Sequence, residues 1–310
     1  MRTGKLKTLC DAFIQERNVI SNCFLMTCEE ICALSASMLI TRVSMPDRET
    51  IDRCKYIFLD NCGIFSPFRG AMQAPVVALM AASDDALEKL ARLEHSYSVL
   101  RKFFDHSLYL VYSAAVLSEL PDEMQEGTAA RAKEIFYMMD KVHPGLTDDE
   151  DTVLSLLFAM SGRPKDELFY EAEYIYNSIR DFGEDNTMQS AAHILTLADG
   201  QPDAKTQLFR DIWSGLANHG LRYGEHAEMI MLAALASVAP NAYTAVIDTI
   251  MIEGLLSDSD SYNGFLASYS RSSDAALITA AAYTPVHGGI SGSLSMTAAE
   301  FTLLYMYDTM

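Results

Sequence analysis

Basic residues are scarce in this chain. It has 23 lysines and arginines against 42 acids, a formal charge of -19 over 310 residues. The deficit is uneven: residues 1–120 hold 13 basic and 14 acidic side chains, residues 121–310 hold 10 and 28. A field of that sign repels phosphate, which argues against nucleic acid as a partner of the C-terminal two-thirds. Its plain use is solubility; a basic protein or cations come second. Long apolar runs are also missing. No uninterrupted stretch reaches the roughly 18–20 residues that cross a bilayer, so no membrane span is expected. The opening Met1–Lys7 is basic, but Asp11, Glu16 and Arg17 interrupt it before an apolar signal core can form. That pattern predicts a cytoplasmic protein.

Cysteine is confined to the first fifth of the chain, at Cys10, Cys23, Cys28, Cys32, Cys54 and Cys62. A chain of this length needs no disulfides to hold its core, and a reducing compartment keeps thiols free. The Cys23-x4-Cys28-x3-Cys32 run matches neither the paired knuckles of structural zinc nor a common iron–sulfur spacing. These cysteines read as small buried hydrophobes, and no metal is assigned to them.

The familiar catalytic patterns are absent as well. There is no H-E-x-x-H, no phosphate-cradling G-x-x-x-x-G-K-[ST] and no G-x-G-x-x-G. Residues 288–292, Gly-Gly-Ile-Ser-Gly, do not complete G-x-S-x-G around Ser291. His287-Gly288-Gly289 has the look of an oxyanion loop, but nothing supplies the rest of a triad. No catalytic residue and no cofactor is therefore assigned, and the reading leans away from an enzyme. Strand patterns are few: hardly any run alternates, and Asn263-Gly264 lacks flanking strands.

What the chain does have is repetition. Shifted by 78, residues 35–83 fall on 113–161 without a gap, with eleven identities in 49 positions. Among them are Ser35/Ser113, Arg53/Arg131, Lys55/Lys133, Phe58/Phe136 and Leu79/Leu157; chance would give roughly three. A weaker third copy follows with small gaps, Ser113-Ala-Ala matching Ser190-Ala-Ala and Gly145-Leu146 matching Gly220-Leu221.

Within a copy, apolar residues recur at helical spacing, as in Ala132, Ile135, Phe136, Met139 and Val142. Breakers fall between such stripes at Pro121-Asp122, Pro144-Gly145, Gly162-Arg-Pro164 and Gly200-Gln-Pro202. Thr147-Asp-Asp-Glu150 reads as a capping box. Each unit of about 77 residues then holds two helix hairpins. The expected fold is all-α: stacked helix hairpins in an α-solenoid-like α/α superhelix of about three 77-residue repeats. The expected body is 1–255, with copies at about 20–96, 97–173 and 174–250. Residues 256–310 form a C-terminal loop and helical cap, with helices over Ala275–Tyr283 and Thr297–Tyr307.

Two polar or aromatic groupings could carry binding. His219, Glu225, His226 and Glu228 gather two imidazoles and two carboxylates that could hold a divalent ion; a solvated helix end is the plainer reading. Trp213, Tyr170, Tyr174 and Tyr176 belong to amphipathic helices, as core or as an aromatic groove for a peptide.

Several short stretches carry a family likeness. They are Gly63-Ile-Phe-Ser66, Arg131-Ala-Lys-Glu-Ile-Phe-Tyr137, His143-Pro-Gly-Leu-Thr147 with Asp149 and Asp151, and Gln189-Ser-Ala-Ala-His193-Ile-Leu195. With the alanine-rich C-terminal helix, they make the chain resemble a bacterial family catalogued as domain of unknown function 4003. The resemblance implies an all-helical fold and brings no activity with it. Its polar positions His143, Asp151 and His193 are the expected ligand-binding residues. The structural alternative is that His143 orders its turn, Asp151 supports a helix start and His193 is a satisfied core histidine. The function expected is a cytoplasmic helical-repeat scaffold or adaptor that binds a protein or peptide on its concave face. The alternative is a small-molecule- or metal-binding protein, or an enzyme, using histidine and carboxylate side chains.

Overall fold

The computed structural model describes residues 2–40, 45–221, 223, 227–262, 267–284 and 290–309. Every regular element among them is helical. The chain divides into two compact units, residues 15–162 and residues 163–310 with 1–14. The first helix, α1 (Arg2–Cys23), starts in the second of these and ends in the first.

Residues 15–162 alternate two kinds of helix. The first kind is short and apolar on every side: α2 (Glu29–Ile40), α4 (Gln73–Ala81), α6 (Leu108–Leu117) and α8 (Asp151–Met160). All residues of Ile31–Ile40 and of Ala74–Ala81 are buried. A helix apolar all round belongs inside a packed array. The second kind buries a single stripe: α3 (Arg48–Asn61), α5 (Ala86–Leu100) and α7 (Asp122–Val142). In α3 the stripe is Ile51, Cys54 and Phe58; in α7 it is Gln125, Ala129, Ala132, Ile135 and Met139. Steps of three and four keep each stripe on one face, which packs on the apolar helix beside it. Side-chain caps start several helices. Asp47 accepts from the Thr50 amide at 2.9 Å, Asp85 from Leu87 and Glu88, and Ser107 from Leu110 at 3.1 Å.

Residues 163–310 continue the alternation with α9 (Lys165–Ile179), α11 (Pro202–Asn218) and α13 (Ala242–Ser257), each burying one side. The buried helices are α10 (Asp185–Leu197), α12 (Glu228–Val238) and α14 (Ala267–Tyr283), and α15 (Ile290–Asp308) packs on α12. The expected helices at Ala275–Tyr283 and Thr297–Tyr307 lie within α14 and α15. Polar cross-links tie α13 to α14 along their length. Tyr283 donates to Asp248 at 2.8 Å, and Arg271 pairs with Glu253 at 2.6 Å. Two expected breakers act through glycine. Gly162 and Gly200 end α8 and α10 with φ of 70° and 110°, a region other L-residues enter only at a cost.

The expected capping box at Thr147 and Glu150 is not formed; one half of such a box appears a residue further on. The Asp148 amide donates to Asp151 Oδ2 at 3.2 Å, and Asp148 Oδ1 accepts from the Asp149 amide at 2.8 Å. Asp151 therefore takes the back-reaching role expected of Glu150, whereas Asp148 accepts only from its neighbour's amide and does not take the role expected of Thr147. The cause is the buried position of Asp151, which brings its carboxylate back over the turn.

The α11–α13 seam is close. A Cβ added at Gly215 would lie 2.6 Å from Val246 Cγ2. Alanine gains about 1 kcal/mol of helix propensity over glycine, but overpacking a seam costs about 1–3 kcal/mol. Gly215→Ala should lower the melting temperature, and adding Val246→Ala should recover part of the loss. An unchanged or raised melting temperature for the single variant would mean that Val246 swings aside.

Candidate functional site

The three expected ligand residues occupy two places. His143 and Asp151 bracket one loop of the unit 15–162, between α7 and α8. His143 is the C-terminal cap of α7: its amide donates to the Met139 carbonyl at 2.9 Å and its own carbonyl accepts from Leu146 at 3.1 Å. Asp151 opens α8 and is buried. Burial pushes its carboxyl well above the usual range, and Glu150 and Asp148 add to the rise. His193 belongs to the other unit, buried in α10.

α10 carries a polar stripe inside an otherwise apolar surround. At about 100° per residue, Asn186, Gln189, His193 and Thr196 fall within about 80° of one another. Asn186 donates toward the Tyr305 hydroxyl at 3.4 Å, and Thr196 returns its hydroxyl to the Ala192 carbonyl at 2.8 Å. Gln189 is buried, and neither heavy atom of its amide has a hydrogen-bond partner among the described residues. An unmet buried amide costs about 1–3 kcal/mol, so native proteins ordinarily fill such a place with water or a ligand. The Gln189-to-His193 spacing was readable in the sequence as an i, i+4 pair, but the unmet amide was not.

A second buried polar group centres on Glu171 of α9. Its carboxylate takes Arg163 at 2.5 Å and the Lys205 ammonium of α11, and Arg163 reaches on to the Thr196 carbonyl at 2.8 Å. Burial lowers the Lys205 pKa, and the Glu171 carboxylate works against that. A third lies in α14, where the fully buried Asp274 takes the Tyr262 hydroxyl at 2.5 Å. These groups join elements of one unit and read as locks between helices.

The other candidates divide. His219 caps α11 with its ring against the Gly215 carbonyl at 2.9 Å, and Glu228 opens α12. Glu225 and His226 lie outside the described residues, as do His287, Gly288 and Gly289 and the side chain of Ser291. Among the described residues no three His, Cys, Asp or Glu groups come together as a metal site. Trp213 is packing: its indole N–H donates to the Tyr223 carbonyl at 2.8 Å and its ring meets Phe182 edge-on at 5.2 Å. Tyr176 is buried and bonds Asp185, whereas Tyr170 and Tyr174 face solvent. Five of the six cysteines are buried. Burial pushes the Cys10 thiol up to about 12 and those of Cys23, Cys28 and Cys32 to about 11, which leaves them protonated at neutral pH.

By its elements the chain is an all-helical protein, and among the described residues no helix is long and apolar enough to cross a membrane. The family model described as protein of unknown function, DUF4003, matches residues 21–282, and the chain belongs to that family. No curated protein and no solved structure matches it.

Proposed function

We propose that this is a cytoplasmic helical-repeat interaction protein whose stacked helix pairs, in about three α-solenoid-like repeats, bind a protein or peptide. The spacing of the helices supports the repeats. Moved by 78 residues, Gln73–Ala81 becomes 151–159, against Asp151–Met160, and Ala86–Leu100 becomes 164–178, against Lys165–Ile179. Moved by 77, Asp151–Met160 becomes 228–237, against Glu228–Val238, and Lys165–Ile179 becomes 242–256, against Ala242–Ser257.

The observation that carries the binding reading is a set of exposed tyrosines on α7, α9 and α13. Tyr170 and Tyr243 are each 78 % exposed, and Tyr137 is 62 % exposed. Tyrosine brings a large contact area with little entropy to lose, which is why it is enriched where proteins meet. Asp166, Glu167 and Glu173 lie within four residues of Tyr170, which favours a basic partner there. In capture experiments with tagged protein, a specific partner should be kept by the native chain and lost at least tenfold by Tyr170→Ser/Tyr243→Ser at unchanged melting temperature. If every captured protein binds both forms equally, the reading fails.

A second reading, a small-molecule binder, is favoured by one observation: the unmet buried amide of Gln189 beside His193. It would show in native mass spectrometry of the same preparation as a stoichiometric adduct that Gln189→Leu removes.

A further inference from the structure

Among the described residues, the most exposed Leu, Met, Ile and Phe side chains fall at two turns. Leu25 and Met26, at the turn between α1 and α2, are 84 % and 100 % exposed, and Ile64 and Phe65, just beyond α3, are 75 % and 94 % exposed. α3 joins the two turns. Its Lys55 ammonium donates to the Cys23 carbonyl at 2.5 Å and lies 4.7 Å from the centre of the Phe24 ring, which fixes the first turn against the middle of the helix. At its end, the Arg69 guanidinium donates to the Cys62 and Gly63 carbonyls at 2.6 and 2.9 Å and holds the second turn closed. The stretch from Lys55 to the end of α3 at Asn61 spans about 9 Å of helical rise. Tyr56 and Leu59, three apart and exposed, lie on the outward side of α3 between the turns.

Six such side chains put several hundred square ångströms of apolar surface in water, the size of patch that marks an interface. It is of the order of the roughly 800 Å² per partner that a standard interface covers. The charge around the patch says what fits it. Residues 45–69 carry Arg48, Arg53, Lys55 and Arg69 against Asp47, Glu49, Asp52 and Asp60, four of each sign. Residues 121–310 hold 28 acids against 10 bases and would repel a copy of themselves. In a two-fold contact the same surface meets itself, so only a face with balanced signs can offer each charge an opposite one. A balanced face has no excess of base to attract anionic lipid, and the rest of the chain is repelled by it.

We propose that this face, formed by the α1–α2 turn, α3 and the turn after it, is where two copies of the chain associate as a two-fold dimer. It shares no residue with the tyrosine reading, so the two proposals are tested by different variants and stand or fall independently. The test is sedimentation equilibrium of the full chain from 1 to 100 µM, with two variants. The native protein should weigh about twice its 34.3 kDa in the upper part of that range. Met26→Ser/Phe65→Ser should be monomeric throughout with an unchanged melting curve, because both side chains are already in water. Arg53→Glu, which makes the face acidic, should weaken the dimer at least tenfold, more so at low salt. A native protein that stays monomeric at 100 µM overturns the proposal, as does a dimer that survives both variants. Binding of the monomer to phosphatidylcholine vesicles, lost in Met26→Ser/Phe65→Ser, would also overturn it and assign the face to lipid.

Discussion

Glu171→Ala is expected to destabilise the protein by about 3–5 kcal/mol, the usual cost of removing one partner from a buried ion pair. The Lys205 side chain is 5 % exposed, and the substitution leaves its ammonium buried with its carboxylate gone. Arg163 suffers less, because it is a third exposed and keeps the Thr196 carbonyl. Lys205 then has to shed its proton or draw in water, and either raises the free energy of the folded state. Urea unfolding at pH 7, followed by circular dichroism, measures the effect. The double variant Glu171→Leu/Lys205→Met should recover most of the loss, since it removes both charges and keeps the volume. If the double variant is as unstable as the single one, packing rather than charge holds α9 to α11. A single-variant loss below about 1 kcal/mol would mean that water already reaches the pair.

The second large effect depends on pH. Glu16, in α1, is buried, and its Oε2 has no hydrogen-bond partner among the described residues. Burial pushes its carboxyl from 4.5 up to about 7. Below pH 4.5 the folded and unfolded states both hold the proton, and Glu16 costs nothing. Between pH 4.5 and 7 the folded state keeps a proton that the unfolded chain has released, so the Glu16 contribution to stability falls as pH rises. Above pH 7 both states are ionised and the folded state bears the full cost of a buried carboxylate. Glu16→Gln keeps the shape and abolishes the charge. It should stabilise the protein by about 3 kcal/mol at pH 8 and by almost nothing at pH 4. A gain that is the same at both pH values would mean that the carboxylate is not what costs stability.

The repeat at a shift of 78 and the breakers at Gly162 and Gly200 predict where helices start and stop, because both depend on neighbours within one turn. The all-helical class and the family likeness were legible for the same reason. Asp151 was legible in part: its place at a helix start follows from the acids around it, but its partner Asp148 follows only from the turn once folded. The Glu171 group was not legible. Glu171 and Lys205 are 34 residues apart, and no local pattern distinguishes them from the many other charged residues on amphipathic helices. The same holds for Gln189, one polar residue among several in α10.

Taken alone, the amino-acid order therefore determined the all-helical class, many of the helix ends and the charge imbalance. Tertiary structure alone decided which polar groups are buried together and which apolar ones are left in water. Glu171 meeting Lys205, Glu16 losing its solvent, and Leu25, Met26, Ile64 and Phe65 gaining theirs are all consequences of helix packing. The physical reason is one of range. Helix propensity and capping act over three or four residues, whereas desolvation depends on whatever helix packs alongside.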